Sequence, residues 1–302
     1  MTVTAGAELR RLQRAEVQPY LGLLGEWLLP GALYGVHHTW PQLYRSDGDG
    51  RFAALFAGDR LLSHCAWRCA CVHTAQGPLR VALLGSVATD PQQRGRGHAS
   101  RLLAHAIDDC RAAGCAAVLL WAERGGLYSR AGFVPGATEQ CAVITAAGEG
   151  NGDDAEPVPA TVRLATVTDH QRLHELHERK PLRIARSPRA MSGLLTTPGM
   201  WTCVLERNGV VAAYACTGKG ADLQNWWHEF GGDDSDVAAL LPPALRLVGQ
   251  REAIALLPPY RRALAALLRP LVVETATVAG PMVCALGSSE LPPLFIDGLD
   301  SV

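Results

Sequence analysis

Between Gln92 and Ser100 the chain reads QQRGRGHAS, a run whose residue types suit the binding of an anion. Gly95 and Gly97 permit backbone conformations and close approaches that a side chain would block, so successive amide hydrogens can turn toward one ligand. An amphipathic segment follows directly, and the start of a helix adds unpaired donors and a partial positive charge. Arg94 and Arg96 bring two permanent charges. On these residues alone, a solvated surface turn and a phosphate site stand level. Two familiar phosphate loops are excluded by spacing: no Gly-Lys-Ser/Thr follows, and Ser100 stands where a dinucleotide-binding fingerprint carries its third glycine or alanine.

Other residues could move protons or hold metal. Tyr128 offers a phenol that donates a proton or packs beside Phe133. His37, His38, His64 and Glu123 are titratable candidates for a general base, but each taken alone reads more readily as a structural residue. Cys65, Cys69, Cys71 and His73 fall at odd spacing, which strings them along one face of a strand, whereas metal ligands converge from turns such as Cys-x-x-Cys; no metal is expected.

The elements that must position these groups are legible in the hydrophobic pattern. Phe52 to Phe56 and Leu61 to Val72 flank a Gly58-Asp59 turn as a hairpin, and Leu79 to Thr89 follows as a third strand. From Ala99 the residues Leu102, Leu103, Ala106, Ile107 and Cys110 recur at helical spacing, with Gly114 placed to end the helix. Ala116 to Ala122 reads as a buried strand, completing a strand-helix-strand crossover of the kind that binds ligands at the carboxyl ends of its strands. The stretch from Ala146 to Pro159, AAGEGNGDDAEPVP, has no hydrophobic period and reads as a linker. Beyond it a hairpin at Asn208-Gly209, a Trp-rich strand near Leu223 to Phe230 and a helix from about Asp236 repeat the outline. Ala253 to Leu257, a helix near Arg261 to Leu268 and a strand near Leu271 to Val278 complete it.

The loop and its surroundings resemble motif A of the GCN5-related N-acetyltransferases, whose pattern is Gln or Arg, two residues, Gly, one residue, then Gly or Ala. Arg94, Gly97 and Ala99 match it, and LYSRAGFVP from Leu127 to Pro135 resembles motif B. The resemblance covers about Leu79 to Pro135. It implies an α/β fold of two such domains, each a mixed, mostly antiparallel sheet flanked by helices with a splayed strand pair. A catalytic domain is expected over 1–145, a linker over 146–159 and a degenerate domain over 160–302. By the same resemblance, backbone groups of Val87, Ala88 and Thr89 pair with the pantetheine arm of acetyl-CoA. Amides of Arg94, Gly95, Arg96, Gly97, His98, Ala99 and Ser100 hold its pyrophosphate, and Tyr128 protonates the departing thiolate. Glu123 stands in the region where relatives often carry Asn. Tandem relatives such as mycothiol synthase and the aminoglycoside-modifying enhanced-intracellular-survival family share the architecture, and in the latter a C-terminal carboxylate can act as base, which would here fall at Val302.

Composition narrows the partners. A formal net charge of −1 provides no field to gather nucleic acid or an anionic membrane, and no stretch has the roughly 18 uninterrupted apolar residues of a spanning helix. An odd count of nine cysteines in apolar segments fits reduced thiols in a cytoplasm. In the second half the counterpart of the anion loop is GGDDSD, whose Asp233, Asp234 and Asp236 would repel a pyrophosphate, so one coenzyme A site is expected, in the first half. The expected activity is acetyl transfer from acetyl-CoA to a small-molecule or peptide amine; the alternative is a noncatalytic acyl-CoA sensor or interaction protein.

Overall fold

A computed structural model describes residues 6–45, 48–122, 125–146, 160–288 and 290–302. The expected linker therefore lies outside the described residues except for Ala146, as does Glu123. Two compact units are present: Met1–Ala137 with Gly280–Leu294 and Asp300–Val302, and Thr138–Ala279 with Phe295–Leu299.

The first unit opens with β1 (Glu8–Leu12) and the helix α1 (Leu21–Leu28), followed by β2 (Arg51–Ala57), β3 (Arg60–Thr74) and β4 (Gly77–Thr89). Then come α2 (His98–Ala112), β5 (Ala117–Leu120), α3 (Gly126–Arg130) and β6 (Val134–Pro135). Turn glycines set the hairpins: Gly58 has φ 61° between β2 and β3, and Gly77 has φ 110° at the start of β4. The apolar stripe of α2 is buried as its spacing requires, with Leu102, Leu103, Ala106, Ile107 and Cys110 packed on Trp67, Leu84 and Val118. Gly114, at φ 73°, ends the helix, and the Cys115 amide returns to the Cys110 carbonyl at 3.0 Å.

The second unit carries β7 (Thr138–Thr145), β8 (Ala160–Leu164), α4 (His170–Glu178), α5 (Pro188–Leu195), β9 (Trp201–Arg207), β10 (Val210–Lys219) and β11 (Asp222–Gly231). It continues with α6 (Asp234–Leu247), β12 (Glu252–Leu257), α7 (Arg262–Leu268) and β13 (Val272–Ala279). Its sheet runs β13-β7-β12-β11-β10-β9-β8 and is antiparallel except at β11 and β12, which pair in parallel only at Trp226–Trp227. The chain then forms β14 (Met282–Ala285), which enters the first sheet, giving the path β1-β2-β3-β4-β5-β14-β6. That sheet is antiparallel except at β4 and β5.

Both units are therefore mixed, mostly antiparallel sheets flanked by helices. The division of the chain differs from the contiguous one expected at 145 and 160. Strand β7 belongs to the second sheet, hydrogen-bonded between β13 and β12, and β14 belongs to the first, between β5 and β6. A strand must satisfy its backbone groups on both edges in the sheet interior, and which sheet offers the free edge is not written in local hydrophobic pattern.

Candidate active site

The site begins at a fault in β4. This strand pairs with β5 only through Val81, Ala82 and Leu83, so its last residues are splayed from that neighbour. Its register against β3 also slips: His64 opposes Ala88 and Ala66 opposes Gly85, leaving Ser86 and Val87 across from Cys65 alone. This two-against-one arrangement is a β-bulge, and Ser86 takes φ 51°, a left-handed conformation uncommon outside glycine. Two buried side chains hold it. The Tyr44 hydroxyl hydrogen-bonds the Ser86 hydroxyl, and His64 Nδ1 lies 3.1 Å from the Ser86 carbonyl. Burial pushes the His64 pKa down to about 4, so the ring is neutral and Nδ1 donates. Just before the bulge, a side chain on Gly85 would meet the Val302 carbonyl carbon at 2.6 Å; the backbone of Val302 packs there.

Beyond Thr89 the loop is pinned at its start. Asp90 accepts from the Gln92 amide at 2.9 Å and from Arg60 at 2.6 Å, which together hold its pKa below the usual carboxylate range, the backbone bond first. Gly95 and Gly97 both have φ 78°, the conformation that turns their neighbours' amides to one side. Gly97 is the N-cap of α2, and no side chain caps that end. The first amides of the helix, at His98, Ala99 and Ser100, therefore have no intrahelical partner.

A cavity of about 410 Å³ opens against these groups. Val87, Ala88 and Thr89 form one wall, and Arg94, Gly95, Gly97, His98, Ala99 and Ser100 form a second. Tyr128 of α3 and Trp27 of α1 also line the cavity. Arg96, by contrast, is exposed and lies outside the lining. The Ala88 carbonyl already accepts from the Ser63 hydroxyl at 2.7 Å. The Tyr128 ring packs edge-on against Phe133, centroids 6.1 Å apart, and burial raises its pKa above the ordinary phenol value. Both roles foreseen for Tyr128 are thus geometrically compatible: it packs, and it faces the cavity. None of His37, His38 and His64 lines that cavity. The His37 and His38 rings lie 3.8 Å apart, tilted by 43°, with burial lowering the pKa of His37. Cys65, Cys69 and Cys71 lie along β3 with Cys65 fully buried in the core beneath α2.

Residues 8–136 match a family of acetyltransferase (GNAT) domains. Over that part the chain is similar to this family. No curated protein matches the chain. Among solved structures, a probable N-acyltransferase from Enterococcus faecalis V583 superposes with a TM-score of 0.72 at 12% identity, covering 93% of this chain and 73% of that one. A tandem GNAT protein from the clavulanic acid biosynthesis pathway gives 0.58 at 12% identity over 94% of this chain and 100% of the other. An N-myristoyltransferase from Saccharomyces cerevisiae with bound myristoyl-CoA gives 0.60 at 11%, over 94% and 81%. At these identities the likeness is one of fold.

The cavity of the first unit has a counterpart within the second. A space of about 370 Å³ is bounded by Lys180 after α4, by Phe230 to Gly232 at the end of β11, by Asp233 and Asp234, and by Tyr260 before α7. Here the long loop is missing. Asp234 accepts from Arg261 Nε at 2.6 Å and from the Leu264 amide at 3.0 Å, capping α7. Behind it lies a buried polar cluster, in which Glu229 accepts from Lys180 at 3.0 Å, from Arg186 at 2.6 and 2.8 Å, and from Tyr214 at 2.9 Å.

Sequence reasoning did not find Tyr44, Ser86 or Trp27. Serine carries no signal for a positive φ, and Tyr44 reaches its partner from a short helical turn forty-odd residues away in the chain.

Proposed function

We propose that the first unit is an acetyl-CoA-dependent N-acetyltransferase for a small-molecule or peptide amine, acting by direct attack within a ternary complex. One observation carries this reading: a single cavity joins the glycine loop, the uncapped start of α2, the bulged end of β4 and the Tyr128 ring. The amides from Gly95 to Ser100 supply fixed donors and the positive end of a helix dipole for a pyrophosphate. The freed edge of β4 at Val87 offers backbone groups to an extended amide-bearing arm, and an amide donor there stabilises a developing oxyanion.

Tyr128 then gives its proton to the leaving thiolate. Its raised pKa keeps the proton on the phenol until that charge develops, and a thiolate in the same poorly solvated place is itself destabilised, which offsets the uphill transfer. In the second unit, Asp233 and Asp234 line the cavity and would repel a phosphate, so its work is taken to be selection of the acceptor rather than binding of coenzyme A.

The test is Tyr128→Phe. Coenzyme A affinity by calorimetry should stay at the wild-type value, while single-turnover acetylation slows by about 10²-fold, as for loss of a general acid. Unchanged turnover would remove Tyr128 from the reaction. A wild-type protein that binds acetyl-CoA but acetylates nothing in a broad amine panel would favour the noncatalytic sensor instead.

A further inference from the structure

Apart from that cavity, the first unit holds a second chemically distinctive cluster. Cys69 Sγ on β3 and Cys115 Sγ lie 3.5 Å apart, with the Cys115 thiol donating. Cys115 is brought there by the helix stop at Gly114, and the next amide, of Ala116, donates to the Arg80 carbonyl of β4 at 2.8 Å. Arg80, exposed on β4, adds positive charge near both sulfurs. Arg51 of β2, itself bonded to Asp109 at 2.7 Å, adds a second positive charge beside Cys69. Cys69 is partly exposed and Cys115 is buried.

The environment treats the two thiols oppositely. Burial drives the pKa of Cys110, a near neighbour, up to about 12. Cys69 is instead held down to about 6, by the Cys115 hydrogen bond first and then by Arg51 and Arg80, while Cys115 is raised and keeps the shared proton. A thiolate near guanidinium charge and in contact with a protonated thiol is the arrangement that makes one cysteine nucleophilic and its neighbour able to resolve it.

We propose that Cys69 and Cys115 form a peroxide-reactive dithiol, with Cys69 as the attacking thiolate and Cys115 as the resolving thiol. The Cys69 thiolate attacks one oxygen of hydrogen peroxide. The O–O bond breaks, an S–O bond forms, and hydroxide leaves and takes up a proton as water. The sulfur is oxidised by two electrons and the peroxide is reduced. Cys115 sulfur then attacks the sulfenic sulfur; an S–S bond forms, the S–O bond breaks, and the departing hydroxide leaves with the Cys115 proton as a second water. Closure brings the sulfurs from 3.5 Å to about 2.05 Å, a shift to be absorbed by side-chain rotation and by Cys115 lying in a turn rather than a strand. The product ties β3 to the entry of β5 on either side of β4.

The experiment treats the whole chain with substoichiometric hydrogen peroxide and maps its thiols by mass spectrometry. The expected product is a Cys69–Cys115 cross-linked peptide pair, about 2 Da lighter than the two thiols and restored by dithiothreitol. Cys71, also partly exposed on the same strand, is the internal control and should be modified about tenfold more slowly than Cys69. Cys115→Ala should replace the cross-link by a dimedone-trappable sulfenic acid at Cys69, and Arg80→Met should slow the Cys69 reaction several-fold, with far-UV circular dichroism reporting that each variant is folded. Equal rates at Cys69 and Cys71, or no cross-link in the folded wild-type chain, would overturn the assignment. The readout is on sulfur, so it stands apart from any acyl transfer.

Discussion

The Tyr44 hydroxyl is bonded to the hydroxyl of Ser86, the residue of β4 that occupies left-handed backbone space at the bulge. The bond is buried, with Tyr44 2% and Ser86 5% exposed. A non-glycine residue persists at φ 51° only where its surroundings over-determine it, and here they do so from two sides, through Tyr44 and through His64. The bulge in turn decides which way the Val87 backbone faces.

Tyr44→Phe removes one of the two constraints and leaves the Ser86 hydroxyl unpaired, at a cost of about 1–2 kcal/mol of stability. On the reading of the first unit as an acetyltransferase, coenzyme A affinity by calorimetry should be nearly unchanged, since the glycine loop is untouched. The turnover number should fall about tenfold, because an oxyanion donor a fraction of an ångström out of place loses much of its effect. A variant that loses affinity and turnover together would instead mean that the bulge supports binding.

Gly97 tests the loop itself. At φ 78° any L-residue is strained, yet a Cβ there meets no atom within 4 Å, so substitution leaves the fold standing. Gly97→Ala should cost about 1 kcal/mol and weaken coenzyme A binding modestly. Gly97→Asp adds a negative charge at the uncapped start of α2 and should abolish binding in calorimetry. Wild-type affinity in a folded Gly97→Asp protein would remove the pyrophosphate from this loop.

These two sites differ in how readily the sequence reveals them. Gly95, Gly97 and the stripe Leu102, Leu103, Ala106, Ile107 and Cys110 obey local rules, since positive φ and helical period are set within a few residues. Tyr128 stands out in the sequence only by its place in a motif. The bulge was not legible, because Ser86 becomes left-handed only through partners on β3 and on the turn holding Tyr44, which local propensity does not encode. Likewise β14 reads as a short apolar run, and its place between β5 and β6 depends on an edge more than a hundred residues earlier in the chain.

His64 predicts an acid sensitivity with a definite sign. Its folded pKa, about 4, lies below the ordinary histidine value of about 6.5, so the folded state disfavours the charged ring. Stability from this group is full above pH 6.5 and is lost as pH falls through 6.5 toward 4, by at most about 3 kcal/mol. His228 in the second unit, also near 4, adds a loss of the same sign. His64→Gln can still donate to the Ser86 carbonyl but does not titrate. Its thermal midpoint, below wild type at pH 7.5, should draw level or cross as the pH is lowered to 4.5. A constant difference between the two proteins across that range would contradict the buried neutral ring.

Asp234 separates architecture from binding. Its carboxylate caps α7 through the Leu264 amide at 3.0 Å and is the partner of Arg261, which is only 7% exposed. Asp234→Ala removes the cap, worth about 1 kcal/mol, and leaves a mostly buried guanidinium with only the Gly232 carbonyl, at 2.6 Å, among the contacts at that end. The loss should total about 2 kcal/mol and appear as a lowered thermal midpoint of the second unit. Coenzyme A affinity should be unchanged, because this aspartate opens α6 directly after a loop too short and too acidic to hold a pyrophosphate. If Asp234→Ala instead abolishes coenzyme A binding while the fold survives, the second unit contributes to the cofactor site and the assignment of a single site to the first unit fails.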